Sequence, residues 1–255
     1  MTGAIKGRLW LVPAPLDHGC ASQVPLPEVM PAGTLQAASQ ITHWICENAK
    51  SARAYLKRIN DLSPLALPVR EQHIVELPRA VHKHGDHDGS FDARALLASA
   101  LLGHDVGLLS EAGMPAVADP GSSVVRAAHD LGIEVRPLVG PVSLLLALAA
   151  SGLNGQNFAF VGYLPQDAAQ RMQRIQALES LAVKQGQSQL FIETPYRNAV
   201  LWDALLKALA GPTRLAVSSG LTLAGGLTRS KSVKDWRALP APITNDTPAV
   251  FAIGR

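Results

Sequence analysis

The 255-residue chain has only two cysteines, Cys20 and Cys46, and no Cys-x-x-Cys pair. That excludes a disulfide-built scaffold and the paired-cysteine zinc and redox motifs, and both residues read as plain thiols. Charged residues are sparse at 17% against 47% hydrophobic, a balance that excludes a disordered chain. Long uninterrupted apolar runs are missing. The longest apolar run free of charge, Pro137 to Phe160, is broken by Gly140, Pro141, Gly152 and Gly155, so it reads as strand, turn, helix and loop rather than a membrane span. Lys6 and Arg8 stand near the start, but Pro13, Pro15 and Asp17 interrupt any signal-like apolar core. A soluble, cytoplasmic protein without membrane association is expected. Nucleotide fingerprints are also missing. There is no G-x-G-x-x-G after the first strand and no Walker-type G-K-S/T loop, so phosphate-cradling glycines are lacking. Without G-x-S-x-G, a hydrolase nucleophile elbow has no support.

What is present is an alternation of short apolar runs and helical patterns. Leu9–Pro13, Thr42–Cys46, Ile74–Leu77, Val106–Ser110 and Glu134–Val139 read as buried parallel strands. Phe91–Leu102, Ser122–Leu131 and Val142–Ala150 read as helices, each followed by a glycine suited to the C′ position. Such alternation implies βαβ crossovers and a mostly parallel first sheet. After Gly152 the pattern restarts, with strands at Phe158–Leu164, Gln189–Thr194, Arg214–Ser219 and Ala249–Ile253 and helices at Ala168–Gln185 and Asn198–Ala210. A hairpin is placed within Leu223–Pro242, with a short turn at Asp235–Trp236. The Ser151–Gln156 stretch is the expected boundary, giving lobes of residues 1–152 and 153–255. Up to Gly152 there are 12 Lys and Arg against 14 Asp and Glu; beyond it, 11 against 6. The second lobe is therefore the basic one, a property that suits an anionic partner or simply a solvated surface.

Three Gly/Pro-rich turns each follow an expected strand of the first lobe. They are Val12-Pro13-Ala14-Pro15-Leu16-Asp17, then Ser110-Glu111-Ala112-Gly113-Met114-Pro115 with Ala118-Asp119-Pro120-Gly121, then Val139-Gly140-Pro141-Val142-Ser143. In a parallel sheet these turns gather on one edge. Gly and Ala there allow a ligand close to main-chain N–H and C=O groups. On the residues alone the turns read either as a main-chain grip on a small polar ligand or as tight structural turns.

The ordered set Ser110-Glu111-Ala112-Gly113-Met114-Pro115, Asp119-Pro120-Gly121, Gly140-Pro141 and Gly162-Tyr163-Leu164-Pro165 resembles the tetrapyrrole methylase family. Within it, the chain is most similar to the branch that methylates a ribose 2′-hydroxyl of small-subunit ribosomal RNA. Leu11-Val12-Pro13-Ala14-Pro15 and Glu193-Thr194-Pro195-Tyr196-Arg197 resemble two further segments of that branch. The resemblance implies two α/β lobes, the first sheet mostly parallel and the second mixed, usually in a homodimer. It implies S-adenosylmethionine as methyl donor, held in a cleft between the lobes. Cofactor contacts are implied at Pro13, Ala14, Ser110, Glu111, Ala112, Gly113, Asp119, Pro120, Gly121, Pro141, Val142 and Ser143. From the second lobe it implies Leu164, Pro248 and Ala249.

Departures from the branch fall elsewhere. An acidic E-D-T-R segment is replaced by Glu47-Asn48-Ala49-Lys50, with an arginine only at Arg53. An Arg-Glu pair is absent from Ala216–Thr222, and Asn245-Asp246-Thr247 stands where the branch has K-G-E. These positions suggest a divergent paralogue with a changed acceptor, or with a changed way of holding RNA.

Methyl transfer from a sulfonium is an in-line displacement in which positioning supplies much of the rate and no metal is needed. A hydroxyl acceptor benefits from a general base. Glu47, Asp86 and Glu193 are the candidates, each of which also reads as a structural carboxylate. The run His82-Lys83-His84-Gly85-Asp86-His87-Asp88 lacks the spacing of a closed metal site; it reads as a loop facing the acceptor, with His87 a substrate contact. Tyr196 and Arg197 could line the site. Arg229, Lys231, Lys234 and Arg237 with Trp236 could meet RNA phosphates and a base, or form an ordinary exposed hairpin. Two other functions stay open: methyl transfer to a tetrapyrrole or other small molecule, and a catalytically silent S-adenosylmethionine-binding module.

Overall fold

The computed structural model describes residues 5–86 and 88–255, the side chains at 82–84 excepted. The chain forms two compact units, Met1–His18 with Val24–Val142, and Gly19–Gln23 with Ser143–Arg255.

The first unit contains β1 (Leu9–Val12), α1 (Leu26–Val29), α2 (Ala32–Gln40), β2 (His43–Cys46), α3 (Ala49–Asn60), β3 (His73–Glu76), α4 (Arg79–His84), α5 (Ala98–Leu101), β4 (Val106–Leu109), α6 (Ser122–Asp130) and β5 (Val135–Pro137). Its sheet runs β3-β2-β4-β1-β5 and every pairing is parallel. Both faces are covered, as the short apolar runs imply. On one face Val12, Trp44, Cys46 and Leu109 join a core with α2 and α3; on the other Leu9, Ile45, Val106 and Leu108 pack with Leu97, Val124 and Ala128. Gly107 lies in register with Trp10 on one side and Trp44 on the other. A Cβ there would come within 2.5 Å of the Trp44 ring, so the glycine makes room for the indole.

Helix α3 is absent from the expectations above, yet its signals are ordinary. Asn48 caps it, its Oδ1 accepting from Lys50 N (2.9 Å) and Ser51 N (3.3 Å). Ala52, Tyr55, Leu56 and Ile59 form its buried stripe. Asn48, counted above as a departure toward a new acceptor, is thus a helix cap. The expected helix over Phe91–Leu102 is two short pieces, a 3-10 turn at Arg94–Leu97 and α5.

The second unit contains α7 (Ser143–Ser151), β6 (Phe158–Tyr163), α8 (Ala168–Gln185), β7 (Ser188–Glu193), α9 (Asn198–Ala208), β8 (Arg214–Ser219), β9 (Leu227–Ser232), α10 (Val233–Trp236) and β10 (Ala249–Gly254). The sheet order is β6-β7-β10-β8-β9; β6 and β7 pair parallel and the other pairs are antiparallel. The hairpin expected inside Leu223–Pro242 is instead formed by β8 and β9. Strand β10 is buried on both faces. Ala249, Phe251 and Ile253 join the core of α8 and α9, while Val250 and Ala252 meet Leu144, Ala147 and Leu148 of α7. That second contact carries α7 into this unit, so the division falls between Val142 and Ser143 rather than within Ser151–Gln156. No helix among the described residues is long and apolar enough to cross a membrane.

Candidate functional site

Strands β2, β4, β1 and β5 lie side by side and parallel, so the segments leaving their C-terminal ends stand in a row. In open parallel sheets that edge is where ligands bind. The turn after β1 is tied to the turn after β4 by a reciprocal backbone pair. Ala14 N donates to Gly113 O (2.9 Å) and Gly113 N to Ala14 O (3.0 Å). The turn after β5 closes against the first. Leu138 N donates to Leu11 O at 2.9 Å, and a Cβ on Gly140 would sit 2.3 Å from Pro13 Cγ. Helices lock the turns from behind. Tyr55 of α3 donates its hydroxyl to Pro13 O (3.0 Å), and Thr34 of α2 donates to Val139 O (2.7 Å). Burial pushes the Tyr55 phenol up, keeping it a neutral donor.

The Ser110–Gly121 loop holds two non-glycine residues at positive φ, Ala116 (64°) and Ala118 (67°). Such geometry is costly without support and concentrates at functional loops. Asp86 supports its end. The carboxylate is buried and accepts from Gly121 N (3.0 Å), Ser122 Oγ (2.8 Å), Ser123 N (2.9 Å) and Ser123 Oγ. Burial raises Asp86, but the bonds from Ser123, Ser122 and Gly121 outweigh it and hold the carboxyl below its ordinary value. Asp86 therefore caps α6 and is removed from the list of bases.

Three further carboxylates converge here. Glu47 Oε1 accepts from Glu111 N (3.2 Å), and Glu111 Oε1 accepts from Ser51 Oγ (3.0 Å). Glu111 Oε2 lies 3.4 Å from His18 Nε2. Burial, then the charges of Glu47 and Glu111, pushes Asp119 up to about 7. Beside them Ser110 Oγ is buried and has no hydrogen-bond partner among the described residues. A buried hydroxyl left so is a place for a ligand's polar group.

These features fit S-adenosylmethionine, the methyl donor. Small residues at Ala112 and Gly113 admit it, the carboxylates suit its sulfonium and ammonium charges, and Ser110 offers a buried hydroxyl. Its expected contacts are narrowed, however. The N–H groups of Ala14 and Gly113 serve each other, leaving only second lone pairs on their carbonyls. Pro120 O already accepts from Ala116 N (3.4 Å). Pro141 is buried; Val142 ends the first unit and Ser143 begins the second.

In the second unit, Leu164 is only 3% exposed and belongs to the core with Phe191 and Trp202. Ala249 is likewise buried, while Pro248 is exposed and its carbonyl accepts from Gly220 N and Ser219 Oγ. Glu193 is buried and engaged: Thr194 N donates to it (2.9 Å) and Arg197 Nε lies at 3.2 Å. Tyr196 is exposed. Arg229 and Lys231 are exposed on β9, the edge strand. Trp236 is a correction: it is buried, its Nε1 donating to Leu215 O (2.8 Å), and no base can stack on it. Arg237 donates to Leu206 O and Leu209 O at the end of α9. His87 lies outside the described residues, and among the described residues no cluster could hold a metal.

Residues that the sequence reading passed over are Asp17, His18, Ser51, Tyr55 and Arg58. Asp17 is 4% exposed, takes both terminal nitrogens of Arg58 (3.1 and 3.0 Å) and accepts from Val24 N (3.0 Å). The Asn48 cap and the stripe of α3 were the signal that could have found Ser51, Tyr55 and Arg58.

Residues 32–233 match the family model for tetrapyrrole (corrin/porphyrin) methylases. The chain is 33% identical over 189 residues to a protein of Mesorhizobium japonicum named ribosomal RNA small subunit methyltransferase I, covering 74% of this chain and 56% of that one. A Pseudomonas aeruginosa protein of the same name is 31% identical over 207 residues, covering 74% and 68%. The solved structure of the methyltransferase CobJ superposes with a TM-score of 0.59 at 16% identity, over 98% of this chain and 94% of that one, a likeness of fold. The chain belongs to the tetrapyrrole methylase family, whose members take a methyl group from S-adenosylmethionine. The chain spans 56–68% of the length of the two ribosomal RNA methyltransferases just named.

Proposed function

We propose that this protein is an S-adenosylmethionine-dependent methyltransferase acting on a ribose 2′-hydroxyl of small-subunit ribosomal RNA. The observation that carries the methyl-transfer reading is the row of turns bolted together at the ends of β4, β1 and β5, with the unpaired Ser110 hydroxyl and the three carboxylates beside it. The names of the relatives support the RNA acceptor. In this reading Ser110, Glu111, Ala112 and Asp119 meet the donor, and Glu111 and Asp119 face its positive charges. Pro13, Gly113 and Gly140 set the floor. Tyr196, Arg197, Arg229 and Lys231 serve the RNA, the last two as phosphate contacts on an exposed edge strand. A cytoplasmic homodimer belongs to the same reading, and light scattering of the purified protein tests the dimer.

The test is mass spectrometry of small-subunit ribosomal RNA nucleosides from a strain lacking the gene. Loss of one 2′-O-methylated nucleoside, restored by the purified protein with S-adenosylmethionine, is the expected result. An unchanged inventory would sink the RNA reading and favour a small-molecule acceptor. Calorimetry with S-adenosylmethionine tests the donor by itself.

A further inference from the structure

An alcohol becomes a competent nucleophile only as its proton is drawn away. The carboxylates expected to do this are engaged elsewhere. Asp86 caps α6, Glu193 is held by Thr194 and Arg197, and Glu47 receives the Glu111 amide. A different titratable side chain stands at the same turns. We propose that His18, aligned by Glu111, is the general base that takes the acceptor's hydroxyl proton; this rests on the reading that the acceptor is a hydroxyl.

Four observations carry it. His18 follows directly on the turn after β1, and the residue before it is anchored, Asp17 being clamped by Arg58 and Val24 N. The Ala14–Gly113 pair brings that turn against the loop holding Glu111. Glu111 is itself fixed, its amide by Glu47 and its Oε1 by Ser51, which leaves Oε2 for His18 Nε2 at 3.4 Å. The His18 side chain is 45% exposed, open to a macromolecular acceptor. A carboxylate that orients one ring nitrogen of a histidine fixes the tautomer and balances the imidazolium that forms.

The step balances. As the acceptor oxygen bonds to the methyl carbon, the methyl–sulfur bond breaks and its electron pair stays on sulfur. The hydroxyl proton passes to the imidazole. One positive charge is lost at the sulfonium and one appears on His18, beside Glu111. The other charged groups around this pair are Glu47 and Asp119, which face Glu111, and the Asp17–Arg58 pair between the His18 loop and α3.

Two measurements decide it. The first uses the purified protein and 15N-detected imidazole signals assigned by comparison with His18→Gln. A proton on Nε2 rather than Nδ1, a preference lost in Glu111→Gln, is expected; a wild-type preference for Nδ1 overturns the assignment whatever the acceptor. The second uses small ribosomal subunits from the deletion strain. His18→Gln should lower kcat about 100-fold or more, while the calorimetric Kd for S-adenosylmethionine stays within about twofold. Wild-type-like kcat in His18→Gln also overturns it. Subunits left unmethylated by the wild type would refute the RNA acceptor, and the nitrogen spectrum would still settle His18.

Discussion

Ala14 and Gly113, about a hundred positions apart in sequence, exchange both of their backbone hydrogen bonds, at 2.9 and 3.0 Å. This miniature ladder fuses two turns that a parallel sheet only brings near each other. A ligand gripped there meets a preformed surface, so little ordering cost is left for binding. Four predictions follow from this frame and its surroundings.

Gly140→Ala should damage the site from behind. The new Cβ meets the Pro13 ring at 2.3 Å, and Pro13 is held by Tyr55. The turns must part. A stability loss of about 1–3 kcal/mol, typical of overpacking, is expected in a denaturant titration. Calorimetry should show at least about tenfold weaker S-adenosylmethionine binding. Unchanged affinity would remove Pro13 and Gly140 from the binding surface.

Donor binding should depend on pH through Asp119. Its carboxyl titrates at about 7, raised by burial and by Glu47 and Glu111. A cationic ligand favours the ionised form. Affinity should therefore climb as pH rises toward 7, by at most about one log unit per pH unit, and level off above it. Asp119→Asn should flatten this dependence. Calorimetry from pH 6 to 8.5 checks both.

Asp86→Ala should destabilise rather than inactivate. It deprives the α6 N-terminus of a carboxylate that takes two backbone N–H groups and two hydroxyls, worth about 1–3 kcal/mol. The native carboxyl lies below its ordinary value, so its contribution is present above that value and is lost as pH falls through the folded one. Thermal melts at pH 3–7 should converge for mutant and wild type at the acid end. The folded fraction should keep its kcat.

At the opposite edge of the first sheet, His43 stacks on His73 and on His104 with centroids 4.5 Å apart. Burial, then the charges of His104 and His73, lowers His43 below the ordinary histidine value, so the folded state keeps it neutral. The unfolded chain then binds more protons. Stability should fall as pH drops below about 6.5 and stop falling once the folded His43 also titrates. His43→Phe keeps a ring in the stack, and the denaturant midpoint of that variant should vary less between pH 8 and 5.

The central strands of the first unit were legible because each is short, apolar and mostly buried, a pattern that needs no tertiary information. The three turns were legible because glycine and proline mark them and because strand ends in a parallel sheet share an edge. Helix α3 carried readable signals in Asn48 and in Ala52, Tyr55, Leu56 and Ile59, which strand-centred reading passed over. Asp86 was not legible as a cap, since its partners Gly121 to Ser123 lie some 35 positions away and only the fold unites them. Trp236 looked available for a base because aromatic residues beside arginines suggest RNA; its indole instead closes a core with Trp202. The His18–Glu111 pair has no local signature at all, being made by the contact of two loops.

The strand order β4-β1-β5 also has a consequence in time. Leu9–Val12 leaves the ribosome early, but its hydrogen-bond partners are Val106–Leu109 and Val135–Pro137. At about 5–20 residues per second, some 5–20 seconds of synthesis separate β1 from its first neighbour. Through that interval an apolar strand waits unpaired, so the first sheet, and every turn hung on it, can close only when more than half of the chain has been made.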